Sequence, residues 1–367
     1  MAEWVDIALD KVAIINPTEL LSKGTKAKKI AMTMLQPFKK KVSIYSIEEY
    51  NGGMKFRNGD TIVARITPCL ENGKTVFVDI LDDGEIGFGS TEYIVLREKQ
   101  GASDKHFLYY FAISSEFRDL AILSMTGSSG RQRVQTDVVR NHLFSFPPLP
   151  EQKAIASVLS SLDDKIDLLH RQNKTLEAMA ETLFRQWFVE EAQEDWEDGC
   201  LGDAIELVYG KGLKKEIRTG TGYPVIGSSG VVGYHSEFLV EGPGIVIGRK
   251  GTLGKVIYLW NNFFPIDTTY YIKSKVESAY LLYEYFLLKT INFEEMNSDS
   301  AVPGLNHDIA LSTEIKIAPL EKLHKFNQFT SIFIDKLREN EKQIRTLEKL
   351  RDTLLPKLMT GEVRVRV

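Results

Sequence analysis

Basic side chains that suit contact with nucleic acid recur in two stretches of this chain. In the first stretch the candidates are Lys26, Lys28, Lys29, Arg65, Asn72, Lys74, Arg131 and Arg133. In the second they are Lys211, Lys214, Lys215, Arg249, Lys250 and Lys255. Lysines hold phosphates and so position a protein without reading sequence, whereas arginine can pair with guanine and asparagine with adenine through two hydrogen bonds. We expect guanine contacts from Arg65, Arg131 and Arg249, and an adenine contact from Asn72. The alternative for each residue is a solvated surface charge or a turn contact, as for Asn72 beside Gly73.

Sequence motifs for catalysis are missing. The segment Gly248–Lys255 (GRKGTLGK) looks like a phosphate-binding loop, but Val256 follows Lys255 where serine or threonine would bind magnesium. The six histidines show no metal-ligand spacing, and Cys69 and Cys200 stand apart from each other. No glycine-rich turn for a methyl donor or a dinucleotide follows a strand. We therefore expect no metal, no cofactor and no enzymatic activity in this chain itself.

The composition is that of an ordinary globular protein, with 43% hydrophobic and 26% charged residues. The net charge of −4 counts against nucleic acid, but it hides the local basic clusters. No apolar run reaches the roughly 18 residues that span a bilayer. Glu3 and Asp6 lie where a signal peptide would carry basic residues, so we expect a cytoplasmic protein with no membrane contact.

An internal repeat with an offset of 171 residues organises the chain. Pro148-Leu149 matches Pro319-Leu320, Asp164-Lys165 matches Asp335-Lys336, and Thr175-Leu176-Glu177 matches Thr346-Leu347-Glu348. The preceding halves repeat more loosely: Gly59–Arg65 parallels Gly242–Arg249, and each leads to Gly-Lys, at Gly73-Lys74 and Gly254-Lys255. This register indicates two copies of one plan, each a globular unit followed by a long helix.

Apolar residues with a heptad spacing predict that the two long helices form a coiled coil. The first seam is Ile155, Leu159, Leu162, Ile166, Leu169, Asn173, Leu176 and Leu183. The second is Phe326, Phe333, Leu337, Asn340, Ile344, Leu347, Leu354 and Leu358. Asn173 and Asn340 fall on the seams, where buried asparagine commonly fixes the register. If the helices pair with each other, the connectivity makes them antiparallel.

These observations predict an α+β protein with two pseudo-symmetric globular domains separated by an antiparallel two-helix coiled coil. The predicted segments are residues 1–147 and 191–317 for the globular domains, 148–190 and 318–361 for the helices, and 362–367 for a tail. About 40 helical residues make a rod of roughly 60 Å. Two similar heads at such a separation suit duplex DNA, whose half-sites lie roughly 34–36 Å apart for one helical turn.

Several segments resemble the specificity subunits of type I restriction-modification systems. They are Gly59–Lys74 (GDTIVARITPCLENGK), Gly89–Val95 (GSTEYIV), Ser129–Val134 (SGRQRV), Phe146–Ile166 (FPPLPEQKAIASVLSSLDDKI) and Gly248–Val256 (GRKGTLGKV). The resemblance covers nearly the whole chain in the order of that family. It implies that two target-recognition domains each read one part of a bipartite DNA target, and that the length of two conserved spacer helices sets the unread gap.

The resemblance also implies partners. Two methyltransferase subunits, which use S-adenosylmethionine to methylate adenine, would dock on the helices, and ATP-driven restriction subunits would join them. The methyl donor and ATP would therefore bind to those partners. The chain departs from the family pattern at Glu321-Lys322-Leu323, where the first copy has Pro150-Glu151-Gln152, and at Ser300–Leu305, which lacks counterparts of Arg131 and Arg133.

Two other functions remain open at the level of sequence. One is a coiled-coil scaffold whose heads bind proteins and have no DNA specificity. The other is a nuclease with built-in recognition domains, which would need a cluster of metal-binding carboxylates.

Overall fold

The chain forms two compact units that each contain part of both long helices. A computed structural model describes residues 3–128, 130–192, 196–276, 279–296 and 304–366. Unit 1 comprises Met1–Leu168 and Gln343–Val367, and unit 2 comprises Leu169–Lys342. Ser129 and most of the predicted Ser300–Leu305 segment lie outside the described residues.

Unit 1 contains two four-stranded sheets and a short antiparallel pair of strands. Its strands are β1 (Val5–Ala8), β2 (Ala13–Ile15), β3 (Lys26–Ile30), β4 (Ser46–Glu49), β5 (Lys55–Phe56), β6 (Thr61–Ala64), β7 (Thr75–Phe77), β8 (Gly87–Gly89), β9 (Tyr93–Glu98) and β10 (Leu143–Phe146). The sheet orders are β2-β9-β6-β7 and β4-β3-β8-β5, and β1 pairs with β10. The shorter helices of this unit are α1 (Leu9–Val12), α2 (Lys105–Ile113), α3 (Ser115–Leu123) and α4 (Thr136–Asn141). The first long helix, α5 (Leu149–Arg185), begins in unit 1 and ends in unit 2.

Unit 2 repeats the plan with a smaller second sheet. Its strands are β11 (Asp198–Cys200), β12 (Ile205–Tyr209), β13 (Tyr223–Gly227), β14 (Gly230–His235), β15 (Gly244–Gly248), β16 (Val256–Leu259), β17 (Phe264–Pro265), β18 (Thr269–Ser274) and β19 (Glu314–Lys316). The sheet orders are β12-β18-β15-β16 and β14-β13-β17, and β11 pairs with β19. The helices are α6 (Leu201–Ala204), α7 (Leu282–Thr290), α8 (His307–Leu311) and the second long helix α9 (Leu320–Met359), which continues into unit 1.

The sequence repeat corresponds in the structure to two four-stranded sheets with equivalent strand orders, β2-β9-β6-β7 and β12-β18-β15-β16. The middle strands β6 and β15 are buried along their whole length, as expected for apolar, β-branched runs covered on both faces. In unit 1 the aromatic residues of α2 pack against the β2-β9-β6-β7 sheet, and Phe107, Tyr110 and Phe111 are almost fully buried. The aromatic residues of α7 are buried in the core of unit 2. The predicted α+β class with two similar units is confirmed.

The long helices pack against each other in the antiparallel sense within each unit. In unit 1, Ile155 and Leu358 share one core, and Asp163 forms an ion pair with Arg351. As the residue number on α5 rises, the number of its neighbour on α9 falls.

The helices are antiparallel in unit 2 as well. Asn173 accepts a hydrogen bond from Asn340 over 2.8 Å, and further along α5 the ring of Phe184 meets that of Phe326. The antiparallel pairing predicted from the connectivity is therefore confirmed within each unit. On the predicted seams, Leu162, Leu176, Leu183, Phe333, Leu347 and Leu354 are half-buried, and the other positions are buried.

Candidate nucleic-acid interface

An arginine begins the loop between the two equivalent strands in each unit. We call residues 65–74, between β6 and β7, the first arginine loop, and residues 249–255, between β15 and β16, the second arginine loop. The amide of Ala64 donates to the carbonyl of Lys74 over 3.0 Å, and that of Gly248 donates to Lys255 over 3.0 Å. The same hydrogen bond thus closes both loops.

Both arginines are held at the backbone by a second equivalent contact. The amide of Val134 donates to the carbonyl of Arg65 over 2.9 Å, and the amide of Leu305 donates to that of Arg249 over 2.9 Å. Val134 and Leu305 are separated by the repeat offset found in the long helices. The match between the segments ending at Val134 and Leu305 therefore extends to their hydrogen bonds.

A carboxylate organises the arginines of unit 1. Glu92 accepts three hydrogen bonds of 2.8–3.0 Å from the guanidinium of Arg133. The same carboxylate lies 3.4 Å from Arg65. The hydrogen bonds from Arg133 hold the pKa of Glu92 below its usual range, so the carboxylate stays ionised. Glu92 therefore fixes the direction of two of the predicted guanine-reading or phosphate-binding side chains.

Aromatic rings replace the carboxylate in unit 2. The guanidinium of Arg249 lies 4.9 Å from the ring centre of Tyr209 and 5.7 Å from that of Tyr270. It also donates to the carbonyl of Asp267 over 3.1 Å. His307 stacks on Tyr209, with ring planes only 10° apart. Arginine stacked on aromatic faces keeps its hydrogen-bonding edge directed outward, as base readout requires.

Burial raises the pKa of Tyr270 to about 12. Its hydroxyl therefore stays protonated at neutral pH and donates to the carbonyl of Leu305 over 3.2 Å. This hydrogen bond holds the ring of Tyr270 in place at its hydroxyl end.

The predicted contact residues in and near the first arginine loop differ in whether their side chains already have a partner. The backbone of Ile66, next to Arg65, forms an isolated antiparallel β-bridge with that of Arg133. Lys74 is directed elsewhere, because its ammonium donates to the carbonyl of Met32 over 2.8 Å. Asn72 and Arg131 are exposed.

Lys26, Lys28 and Lys29 lie on β3, in the other sheet of unit 1. Lys28 forms ion pairs with Asp82 and Glu85, and Lys29 forms one with Glu48 over 2.8 Å. These two lysines have local partners, so DNA contact would require them to exchange one anion for another.

In unit 2 the structure brings Lys211 close to the second arginine loop. The amide of Lys211 donates to the carbonyl of Pro265. Thr268, in the same turn as Pro265, accepts hydrogen bonds from the amides of Arg249 and Lys250. Lys214 and Lys215 lie in the exposed segment that follows. The ammonium of Lys255 donates to the carbonyl of Ser229 over 2.7 Å.

Sequence reasoning missed Glu92, Tyr209 and His307 as organisers of these sites. Glu92 stands in the quoted segment GSTEYIV, and its position before a strand was the available signal. Tyr209 and His307 are about 100 residues apart in sequence. Only the pairing of β12 with β18 and the position of α8 bring these two rings together.

Neither a metal site nor a membrane-spanning helix is found in the described parts of the chain. Within the described ranges, no group of three or more histidine, cysteine, aspartate or glutamate residues is arranged to hold a metal ion. Among the helices that the structure describes, none is both long enough and apolar enough to cross a membrane.

Comparison with known proteins identifies relatives over most of the chain. The specificity subunit of the Escherichia coli type I restriction enzyme EcoAI is 35% identical over 153 residues, which are 40% of this chain and 26% of that protein. The specificity subunit of the type I restriction enzyme MjaIX from Methanocaldococcus jannaschii is 27% identical over 309 residues. That match covers 73% of this chain and 71% of the relative.

The fold has a counterpart among solved structures. The crystal structure of a type I restriction-modification S subunit from M. genitalium superposes with a TM-score of 0.58 at 21% identity, covering 97% of this chain and 96% of that one. The model of the type I restriction modification DNA specificity domain matches residues 1–178 and again residues 193–349. With one copy of that domain for each half of the repeat, the chain belongs to the family of type I restriction-modification DNA specificity proteins.

Proposed function

We propose that this chain is the DNA-reading subunit of a type I restriction-modification complex, and that each unit reads one half of a split target. The observation that carries this proposal is the pair of arginine loops. Two loops at equivalent places in equivalent sheets begin with Arg65 and Arg249 and are closed by the same hydrogen bond. A duplicated loop of this kind suits a ligand that presents similar features twice, as duplex DNA does.

The different surroundings of the two arginines favour different half-sites. Arg65 and Arg133 share Glu92 in unit 1, whereas Arg249 stacks on Tyr209 and Tyr270 in unit 2. A guanidinium reads the O6 and N7 atoms of guanine when its edge is fixed in direction. Because the fixing groups differ, the two edges meet the major groove in different ways, and the two halves of the target differ.

Lysines at the margins would supply the part of the affinity that does not depend on sequence. Lys26, Lys211, Lys214, Lys215 and Lys250 are exposed. Each phosphate contact releases a counterion, so binding weakens as salt rises. A net charge of −4 is compatible with this role because the basic residues are concentrated locally.

The chemistry of the complex would belong to partner subunits. Two methyltransferase subunits that carry S-adenosylmethionine would dock on the outward faces of α5 and α9, and restriction subunits that use ATP would complete the assembly in the cytoplasm. Six exposed basic residues on these helices supply the docking faces: Arg171, Lys174, Arg185, Arg338, Lys342 and Arg345. Trp187, which the sequence also suggests for this role, follows α5 and instead packs against Phe326 and Phe329.

Selection of binding sites from a pool of random duplexes tests the proposal. The purified chain is expected to enrich one split motif, and Arg249→Gln should change the preferred bases in one half only. Lys214→Gln serves as the control, and it should weaken binding to all sequences alike. Failure to enrich any motif, together with capture of protein partners, would favour the scaffold alternative. Cleavage of DNA by the pure chain with magnesium would favour the nuclease alternative.

A further inference from the structure

The long helices carry a largely buried ion pair in unit 1 that the repeat does not copy. Arg351 donates to Asp163 over 3.0 Å, and the two side chains are 16% and 11% exposed. Adding the repeat offset of 171 residues takes Asp163 to Ile334, and subtracting it takes Arg351 to Ala180. Ile334 and Ala180 are both buried in the core of unit 2. The layer that is ionic in unit 1 is therefore apolar in unit 2.

A second polar pair shows the opposite asymmetry. In unit 2, Asn340 donates to Asn173 over 2.8 Å, and both side chains are buried. The repeat offset takes Asn173 to Ile344 and Asn340 to Leu169, which are also buried. Each polar pair thus takes one member from α5 and one from α9, and its repeat-related positions are apolar.

This arrangement matters because α5 and α9 are copies of one helix. A second molecule of the chain offers each helix an alternative partner, namely its own counterpart. In an antiparallel α5–α5 pair, Asp163 would face Ala180, and Asn173 would face Leu169. The carboxylate would lose Arg351, and the asparagine would lose its amide partner.

Pairing of α9 with a second α9 would be equally mismatched. Arg351 would face Ile334, and Asn340 would face Ile344. A buried polar or charged group that loses its partner keeps the full cost of removal from water. Tyr110 would still donate to Asp163, and Asp352 would still contact Arg351, but neither contact replaces the partner across the seam.

We propose that the Asp163–Arg351 and Asn173–Asn340 pairs select the helix partner. They favour pairing of α5 with α9 and disfavour pairing of either helix with its counterpart in a second copy of the chain. The selection rests on complementarity across the seam, because only an α5–α9 pair gives each of the four polar side chains a hydrogen-bonding partner on the facing helix. It is independent of what the arginine loops bind.

The test replaces both polar pairs by the apolar residues of their repeat positions in the full-length chain. The variant combines Asp163→Ile, Arg351→Ala, Asn173→Ile and Asn340→Leu. Replacing buried ionic pairs by packed apolar residues is often neutral or stabilising, so the variant is expected to melt no lower than the original chain. Sedimentation equilibrium should show self-association at least about 100-fold tighter than in the original chain.

A matched control keeps the seam polar. Asp163→Asn combined with Arg351→Gln retains hydrogen-bonding side chains at the same positions and should self-associate no more than the original chain. Two results would overturn the proposal. One is an apolar variant that associates no more strongly than this control. The other is an apolar variant that melts several degrees lower and stays monomeric, since the pairs would then only stabilise the fold.

Discussion

At the scale of single residues, the two units hold equivalent arginines by different means. Glu92 supplies a carboxylate to Arg65 and Arg133, and Tyr209 supplies a ring to Arg249. Neither fixing group is proposed to contact the DNA itself. Their substitution should therefore change how a base is read while the sheet below stays intact.

Glu92 should make the stability of unit 1 depend on pH in the acid range. The folded-state pKa of Glu92 is lowered, chiefly by the hydrogen bonds from Arg133. Its stabilising effect is thus fully present above the unfolded pKa of about 4.3 and is lost as the pH falls through the folded value. Thermal melts between neutral and acid pH should show a smaller acid loss for Glu92→Gln than for the original chain. Equal acid losses in the two proteins would contradict this assignment.

Arg249 should contribute to DNA affinity through both its charge and its plane. Arg249→Ala is expected to weaken binding to the selected target by about 10- to 100-fold, the range for one bidentate base contact. Arg249→Lys should recover little of this loss, because lysine has neither the planar fork nor the stacking face. Fluorescence anisotropy with a labelled duplex measures both variants. Full recovery by lysine would show that Arg249 contacts only phosphate.

Lys40 is a buried cation that anchors the globular part of unit 1 to α5. Its ammonium donates to Ser160 over 2.8 Å and to Tyr110 over 3.1 Å. Burial lowers its pKa below 10.5. Between the folded and unfolded pKa values the unfolded chain binds more protons, so the contribution of Lys40 to stability rises with pH. The free energy of unfolding of the original chain, measured in urea, should therefore rise relative to that of Lys40→Met as the pH increases through this alkaline window. A stability difference between the two proteins that does not change with pH would contradict this role of Lys40.

At the scale of elements, the second arginine loop depends on a glycine at its entrance. A Cβ on Gly248 would lie 2.0 Å from the carbonyl oxygen of Thr252, which is backbone and cannot rotate away. Gly248→Ala should thus displace the loop, cost about 1–3 kcal/mol, and weaken DNA binding. Gly212→Ala is the matched control, because nothing lies within 4 Å of its Cβ. Equal melting temperatures and affinities for the two variants would rule out this role for Gly248.

The long helices were the elements best predicted from sequence. Their heptad pattern predicts the helices, because a periodic apolar stripe survives in any context that buries it, and the connectivity predicts their antiparallel sense. The pattern did not show that Ala180 and Phe184 are buried on the same face of α5. It also did not show the Asp163–Arg351 pair, since a single carboxylate beside an apolar seam reads as a solvated position.

The sheets and the sites on them were predicted less completely. The sequence match of Gly59–Arg65 with Gly242–Arg249 located β6 and β15, but strand order depends on contacts between residues far apart in the chain. The charge of Lys28 and Lys29 predicts DNA contact, yet in the folded chain these two lysines form ion pairs with Asp82, Glu85 and Glu48. Charge in a sequence does not reveal which partner the fold supplies.

At the scale of the whole molecule, the chain is a duplication of one plan. Two copies of the specificity domain cover residues 1–178 and 193–349, and each unit has a sheet of the same order with an arginine loop. A protein built in this way should read its target in two independent parts. Changes confined to one arginine loop should leave recognition by the other unit unaltered.

The most direct test of this duplication is a map of adenine methylation in cells that express the chain together with the proposed methyltransferase subunit. We expect methylation at one split motif with a fixed unread gap. Arg249→Gln should change the bases required in one half of that motif, and Arg65→Gln should change those in the other half. Methylation at an undivided motif would contradict the account, as would loss of specificity in both halves from either substitution.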